Sequence, residues 1–307
     1  MSDKCTDTGS SEFIVWISTH VAIISLIMFC GVVGNGLVLI IYGRDKKQSG
    51  AVYIIALAVI DLFSCVCLLP QIPLYEMSLD CNYELALDVI GSEGIVQGMA
   101  TLFVQVTMAL DQFVAVFYPF KHAKLRGTLN KIMVVAFLVV ASTLSVMPFA
   151  LPEFRIKQGS KRNVYLLLIA SVFSIGLLVL LSAYSAVALK LYRQGRSVGP
   201  QLGRTKSGAV RPSSAVGVVH NPEITEKVAQ SKRAMHIQAL KIYTSIFLAF
   251  IAAYLMFMVS IFSLSVWPGY GYYVNHTVNP VIYYCFVEKF RNNVNGYWHR
   301  LSCRCFV

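Results

Sequence analysis

Charge is what this chain has least of. Only 13% of its 307 residues are Asp, Glu, Lys or Arg, against about a quarter in a soluble domain. Between Lys241 and Glu288 there is not one charged residue. That scarcity excludes an ordinary soluble fold, because no water-facing surface of this size is so poor in charge. Enzyme motifs are absent too: no metal-ligand cluster, no nucleophile motif and no glycine-rich phosphate loop. An enzyme is therefore not expected. No repeat of 20–50 residues is visible, and the two halves do not match, which argues against a transporter or channel. The single Asn-x-Ser/Thr match, Asn275-His276-Thr277, falls inside an apolar run, so no glycosylation is expected.

Apolar residues take up 56% of the chain. They gather into seven runs near or above the ~20 residues that cross a bilayer. The runs lie at 13–42, 51–75, 86–118, 130–152, 164–192, 235–263 and 269–286. The sequence therefore predicts an all-α membrane protein, a seven-transmembrane helix bundle spanning 13–286. The first run is too long for a signal-peptide core and is expected to stay as a span. Residues 1–12 are expected outside the cell, and 287–307 form the inner end. All Lys and Arg except Lys4, Arg155, Lys157, Lys161 and Arg162 then fall on the cytoplasmic side, which orients the bundle by the positive-inside rule. The net charge of +11 thus reflects topology, and no nucleic-acid partner is expected. Asp3, Asp7, Glu12, Glu76, Asp80, Glu84, Asp88, Glu93 and Glu153 lean outward, an acidic balance suited either to a cationic ligand or to plain solubility.

The long inner connection, 193–233, is rich in Gly, Pro, Ser and basic residues and reads as a flexible loop. Ser207, Ser213 and Ser214 beside its basic residues are either phosphorylation sites or linker. At the inner end, Phe290, Val294, Tyr297, Trp298 and Leu301 recur at helical spacing. They predict a short amphipathic eighth helix on the bilayer surface. Cys303 and Cys305 follow as palmitoylation candidates. Cys5 and Cys81 lie outside, where disulfides persist. A bridge between them would tie the N-terminus to the top of span three. Cys30, Cys65, Cys67 and Cys285 read as packing residues.

Polar groups deep in a span are costly and mark function. Asp61, in "LAVIDLF", is the one deep acid. Asn35 lies in "GVVGNGLVLI" and Asn279 in "NHTVNPVIYY". There Pro280 frees a backbone carbonyl, which Asn279 is expected to rewire. Asp111 ends the third run in "DQFVAVFYPF", beside neutral Gln112.

These motifs, in this order, resemble the rhodopsin-like (class A) G-protein-coupled receptors. The carriers are Gly34-Asn35, Leu57-Ala58-Asp61, Asp111-Gln112-Phe113, Asn279-Pro280-Tyr283 and Phe290, with Tyr184 as the inner tyrosine of span five. The likeness covers nearly the whole chain. It implies a multi-pass plasma-membrane receptor that couples an outer ligand to a heterotrimeric G protein, with arrestin and receptor kinases as further partners. No organic cofactor is implied. A sodium pocket is implied at Asp61, Thr101, Asn275 and Asn279, with His276 as a competitor in place of a small hydroxyl residue. That substitution predicts sensitivity to salt or pH.

The family's cation after Asp111 is replaced by Gln112, which forms no ion pair. Asp111 is then expected to bond Tyr118 or a nearby loop base. Either the resting state is weakly held, or coupling is lost and the chain is a decoy or scaffold. Span six aligns as Phe250, Ala253, Tyr254 and Met256, without the usual proline, and Gly176 replaces the proline of span five. The implied switch residues are Asp111, Gln112, Tyr184, Tyr254, Pro280 and Tyr283. An amine receptor carries an aspartate where Gly94 stands, and an opsin a lysine near Tyr273. The candidate ligand-pocket residues are Gln71, Tyr75, Glu93, Gln97, Phe257, Tyr270 and Tyr273, with a lean toward a neuropeptide.

Overall fold

The computed structural model describes residues 11–44, 51–68, 83–125, 127–150, 160–198, 222–263 and 267–305. Several helix ends are described by their backbone alone, among them 83–94, 144–150, 160–169, 260–263, 267–272 and 301–305. All the regular structure among these residues is helical. Span one is Ser11–Gly43, and span two runs Ala51–Phe63 and continues as a π-helical turn, Ser64–Leu68. Span three is Tyr83–Phe117, span four Thr128–Ala150 and span five Ser160–Val198. Span six is Pro222–Ser263 and span seven Trp267–Phe286. Pro119–Leu125 is a short inner helix, and Glu288–Cys305 is the eighth helix after the bundle.

In hydrocarbon a chain must satisfy its own backbone, which a helix does within one segment. Three hydroxyls on the spans follow the same rule. Ser64, Thr107 and Ser142 each donate to the carbonyl four residues back, Ile60, Phe103 and Leu138, at 2.7–2.8 Å. Polarity is inverted relative to a soluble protein. Phe29, Phe63, Phe137, Ile175, Leu178, Leu248 and Leu255 face outward, while His20, Asn35, Asp61, Gln97, Gln105 and His276 are buried. Four helices among the described residues are long and apolar enough to cross a bilayer, Ile14–Gly43, Ile95–Phe117, Ala170–Gln194 and Lys227–Met256. Ala51–Val66 and Asn130–Thr143 are shorter apolar stretches.

Two apolar clusters fill the bundle. One joins Val38, Tyr42, Ile54, Leu57, Met108, Ile246, Tyr283 and Phe290. The other joins Leu102, Phe173, Leu180, Tyr184, Phe247 and Phe250, where spans three, five and six meet. Small residues let the helices close in. A side chain on Gly31 would overlap the Cys65 sulfur at the π-helical turn, and one on Gly34 would sit 2.8 Å from the Pro280 ring. Gly176 makes room for Leu102, whose Cδ2 lies 2.8 Å from where a β-carbon would stand.

Spans five and six are unbroken and longer than the apolar pattern suggests. Span six begins at Pro222, thirteen residues before the apolar run, and span five runs on to Val198. The connection expected to be loop over 193–233 is thus helical at both ends. The reason lies in "NPEITEKVAQ": proline suits the first helical position, glutamate suits the first turn, and good helix formers follow. Ser207, Ser213 and Ser214 lie outside the described residues, as do Cys5 and Cys81. Cys65 is buried as expected of a packing residue, but Cys30 and Cys285 face outward.

Candidate functional site

The buried centre of the bundle is His276. Its ring nitrogen Nδ1 lies 2.8 Å from Asp61 Oδ1, and Gln97 Nε2 lies 2.9 Å from Nε2. The Gln97 amide lies over the ring, also 3.2 Å from Nδ1; facing a carboxylate, which only accepts, Nδ1 carries the proton and donates it to Asp61. Asn279 Nδ2 donates to the other carboxylate oxygen at 2.8 Å. Asp61 is fully buried and His276 1% exposed.

Pro280 has no N–H to give the carbonyl of residue 276, one turn earlier. Asn35 supplies the missing donor: its Nδ2 lies 2.8 Å from His276 O. The same amide reaches Gly31 O in its own helix at 3.0 Å. The freed carbonyl is therefore rewired by Asn35 and not by Asn279, whose amide goes to Asp61. One residue of span seven so ties spans one, two and three together. Gln97, expected in the outer ligand pocket, belongs to this network instead.

The oxygens expected around a sodium ion have a mixed fate. Asn275 is buried, and Thr101 Oγ1 and Asn279 Oδ1 accept no hydrogen bond from the protein. Both oxygens of Asp61, however, already receive an N–H, and the ring stands against Oδ1. Among the described residues no three His, Cys, Asp or Glu side chains gather as a metal site. As arranged, the residues do not fit a resident cation.

The inner end answers the question of Asp111. Its Oδ2 accepts from Lys131 Nζ at 2.9 Å, and Oδ1 lies 3.2 Å from His122 Nε2. The partner is thus a base of the inner loop and the start of span four, and Tyr118 packs near Phe113 instead. Lys131 is 5% exposed and lies 5.3 Å from the centre of the Tyr53 ring. Its ammonium therefore joins spans two, three and four. Gln112, left without an ionic role, reaches span six: its Nε2 is 3.3 Å from both His236 O and His236 Nδ1. Lys190 of span five donates to Val116 O at 2.8 Å and covers the Phe117 ring. A cation is well placed there, at the carbonyl end of span three.

Gln238 of span six donates to Phe286 O at 3.0 Å, closing the end of span seven. Tyr283 packs edge-on against Phe290, and Tyr42 stacks on Phe290, so the eighth helix is anchored to the bundle. Tyr184 is buried beside Phe247, and Tyr254 stacks on Phe173 at 4.8 Å. Tyr273 is half-buried and packs on the cluster of Ile24, Ile27 and Cys65. Gln71 and Tyr75 lie outside the described residues. So do the side chains of Glu93, Phe257, Tyr270, Cys303 and Cys305.

This geometry meets the comparison with known families. The profile described as "7 transmembrane receptor (rhodopsin family)" matches residues 34–283, most of the chain. The chain belongs to that family. The family consists of receptors rather than enzymes, and this receptor is a multi-pass membrane protein. It is 24% identical to the alpha-1A adrenergic receptor of Oryctolagus cuniculus over 87% of this chain and 64% of that protein. It is 28% identical to the galanin-like G-protein coupled receptor npr-9 of Caenorhabditis elegans over 41% of this chain and 30% of the relative. It is 33% identical to the human uracil nucleotide/cysteinyl leukotriene receptor over 38% of this chain and 32% of the relative. The chain thus spans less than two thirds of the length of each of these curated relatives.

Sequence reasoning missed Lys131. The signal was present: a lysine opening an apolar run needs a carboxylate, and Asp111 lacked a base beside it. Replacing Lys131 with Ala is expected to cost about 1–2 kcal/mol. That is less than a fully buried pair, because Asp111 is 24% exposed and water and His122 compensate. Thermal unfolding of the purified receptor measures it, with Lys131→Arg keeping most of the stability.

Proposed function

We propose that this receptor sits in the plasma membrane with its N-terminus outside and passes an extracellular signal to a heterotrimeric G protein. A bound ligand shifts the population between two packings of the helices. The observation that carries this reading is the Gln112–His236 contact. It bridges spans three and six at the inner face, where an opening would admit a partner. The contact is made of uncharged hydrogen bonds, each worth only about 1 kcal/mol, so little holds the closed packing. Basal signalling above that of an empty-vector control is the expected result.

Changing Gln112 to Arg tests the reading. An arginine there faces Asp111 and places a fixed cation at the inner face, so basal second-messenger output should fall. A second reading rests on the same residue: with no cation after Asp111, the chain binds ligand without activating a G protein. In that case the natural receptor is silent with every ligand, and Gln112→Arg creates output. Output unchanged by the substitution counts against both.

For the ligand we favour a peptide over an amine. Gly94 stands where an amine receptor carries an aspartate, and a relative of this chain is named galanin-like. Gln71, Tyr75, Glu93, Phe257, Tyr270 and Tyr273 remain the proposed pocket. Arrestin and receptor kinases are proposed inner partners, Cys303 and Cys305 proposed lipid anchors, and Cys5–Cys81 a proposed outer bridge.

A further inference from the structure

We propose that His276 is a built-in donor that closes Asp61 to metal cations, so that the core of this receptor is indifferent to sodium. A carboxylate buried inside a bundle needs compensation. A bound cation is one way to supply it, and two N–H donors are another. Asp61 has the second: Nδ1 of His276 and Nδ2 of Asn279, each at 2.8 Å, one on each oxygen.

The ring is held in that pose from two further directions. The Gln97 amide covers the ring, 2.9 Å from Nε2 and 3.2 Å from Nδ1, and Asn35 holds the backbone carbonyl at 2.8 Å. A cation approaching Oδ1 would have to turn the imidazole out of its bonds to spans two and three. The residue is 1% exposed and interiors are close-packed, so a tilt would have to displace neighbouring groups. The anchor behind the backbone is equally fixed, since Asn35 answers the carbonyl that Pro280 leaves without a donor.

The cation site is therefore latent and not erased. Thr101 stands one helical turn inward of Gln97 on span three, on the same face. Its Oγ1 and the Oδ1 of Asn279 are buried and accept no hydrogen bond from the protein. These oxygens and the Asp61 carboxylate are hard donors suited to a hard cation. The His276 ring stands against Oδ1 of that carboxylate. Removing that ring while keeping a small hydroxyl converts the site from hydrogen-bonded to ion-binding.

Melting of the purified full-length receptor tests this in sodium chloride against choline chloride at equal ionic strength. A ligand that binds only the folded state raises the melting temperature. The natural receptor is expected to melt at the same temperature in both salts. His276→Ser is expected to melt lower in choline and to gain several degrees in sodium. The double variant His276→Ser with Asp61→Asn is expected to lose that gain. A sodium-dependent rise in the natural receptor, abolished by Asp61→Asn, overturns the proposal. So does a folded His276→Ser receptor whose melting ignores sodium. Should His276→Ser yield no folded protein in either salt, the comparison on the natural receptor and its Asp61→Asn variant decides alone. Melting reads binding without reference to signalling, so failure of the proposed coupling to a G protein leaves this test untouched.

Discussion

His276→Ala is expected to destabilise the receptor by about 3 kcal/mol, because it leaves a buried carboxylate short of a donor. Interhelical hydrogen bonds within membranes are individually modest, about 0.6–2 kcal/mol. Here the truncation removes the bond to Asp61 together with the contact between the ring and the Gln97 amide. It leaves a fully buried carboxylate that keeps the Asn279 amide on its other oxygen. Thermal unfolding in choline chloride measures the loss, and the surface level of folded receptor should fall with it. Asp61→Asn removes the charge that makes the truncation costly. The double variant His276→Ala with Asp61→Asn should therefore lose clearly less than the sum of the single changes. Strict additivity would show that the two side chains do not interact.

Gly34→Val should be nearly as damaging, for a steric reason. A β-carbon at residue 34 would stand 2.8 Å from Cγ and 3.0 Å from Cβ of Pro280. That ring is rigid and sits in the middle of span seven, so it cannot swing away as a leucine end can. Spans one and seven would have to part. The next residue, Asn35, makes the bond that satisfies the proline-freed carbonyl of His276, and this would stretch with them. Overpacking of this kind costs about 1–3 kcal/mol, and the lost bond adds to it. The control lies two residues away. Gly36 has open space where its side chain would go, so Gly36→Ala should stay within about 1 kcal/mol of the natural receptor. Equal effects at the two glycines would show that the contact with Pro280 does not matter.

The sequence made the bundle legible because bilayer thickness and backbone satisfaction leave little choice. Seven apolar runs become seven helices. Asp61 stood out because an acid inside lipid is rare. What surrounds it was harder to read. Whether Gln97 faces outer ligand or inner core depends on the rotation of span three about its own axis, which a uniformly apolar helix does not declare. The donor for the carbonyl of His276 was sought on Asn279, its neighbour in sequence. Close approach at Gly34 makes Asn35, 241 positions away, the nearer amide. The extension of span six was readable from local chemistry in "NPEITEKVAQ", but the apolar pattern drew the boundary too late. Membrane depth and helix length are separate quantities, and only the first is written in hydropathy.

That unbroken span six carries a mechanical consequence. At 1.5 Å per residue its 42 residues make a rod about 60 Å long, roughly twice the hydrocarbon thickness. Without a proline to act as an elbow, its two ends move together. Pivoted about its midpoint, a tilt of roughly five degrees carries each tip about 2.5 Å, so a small push at one end arrives undiminished at the other.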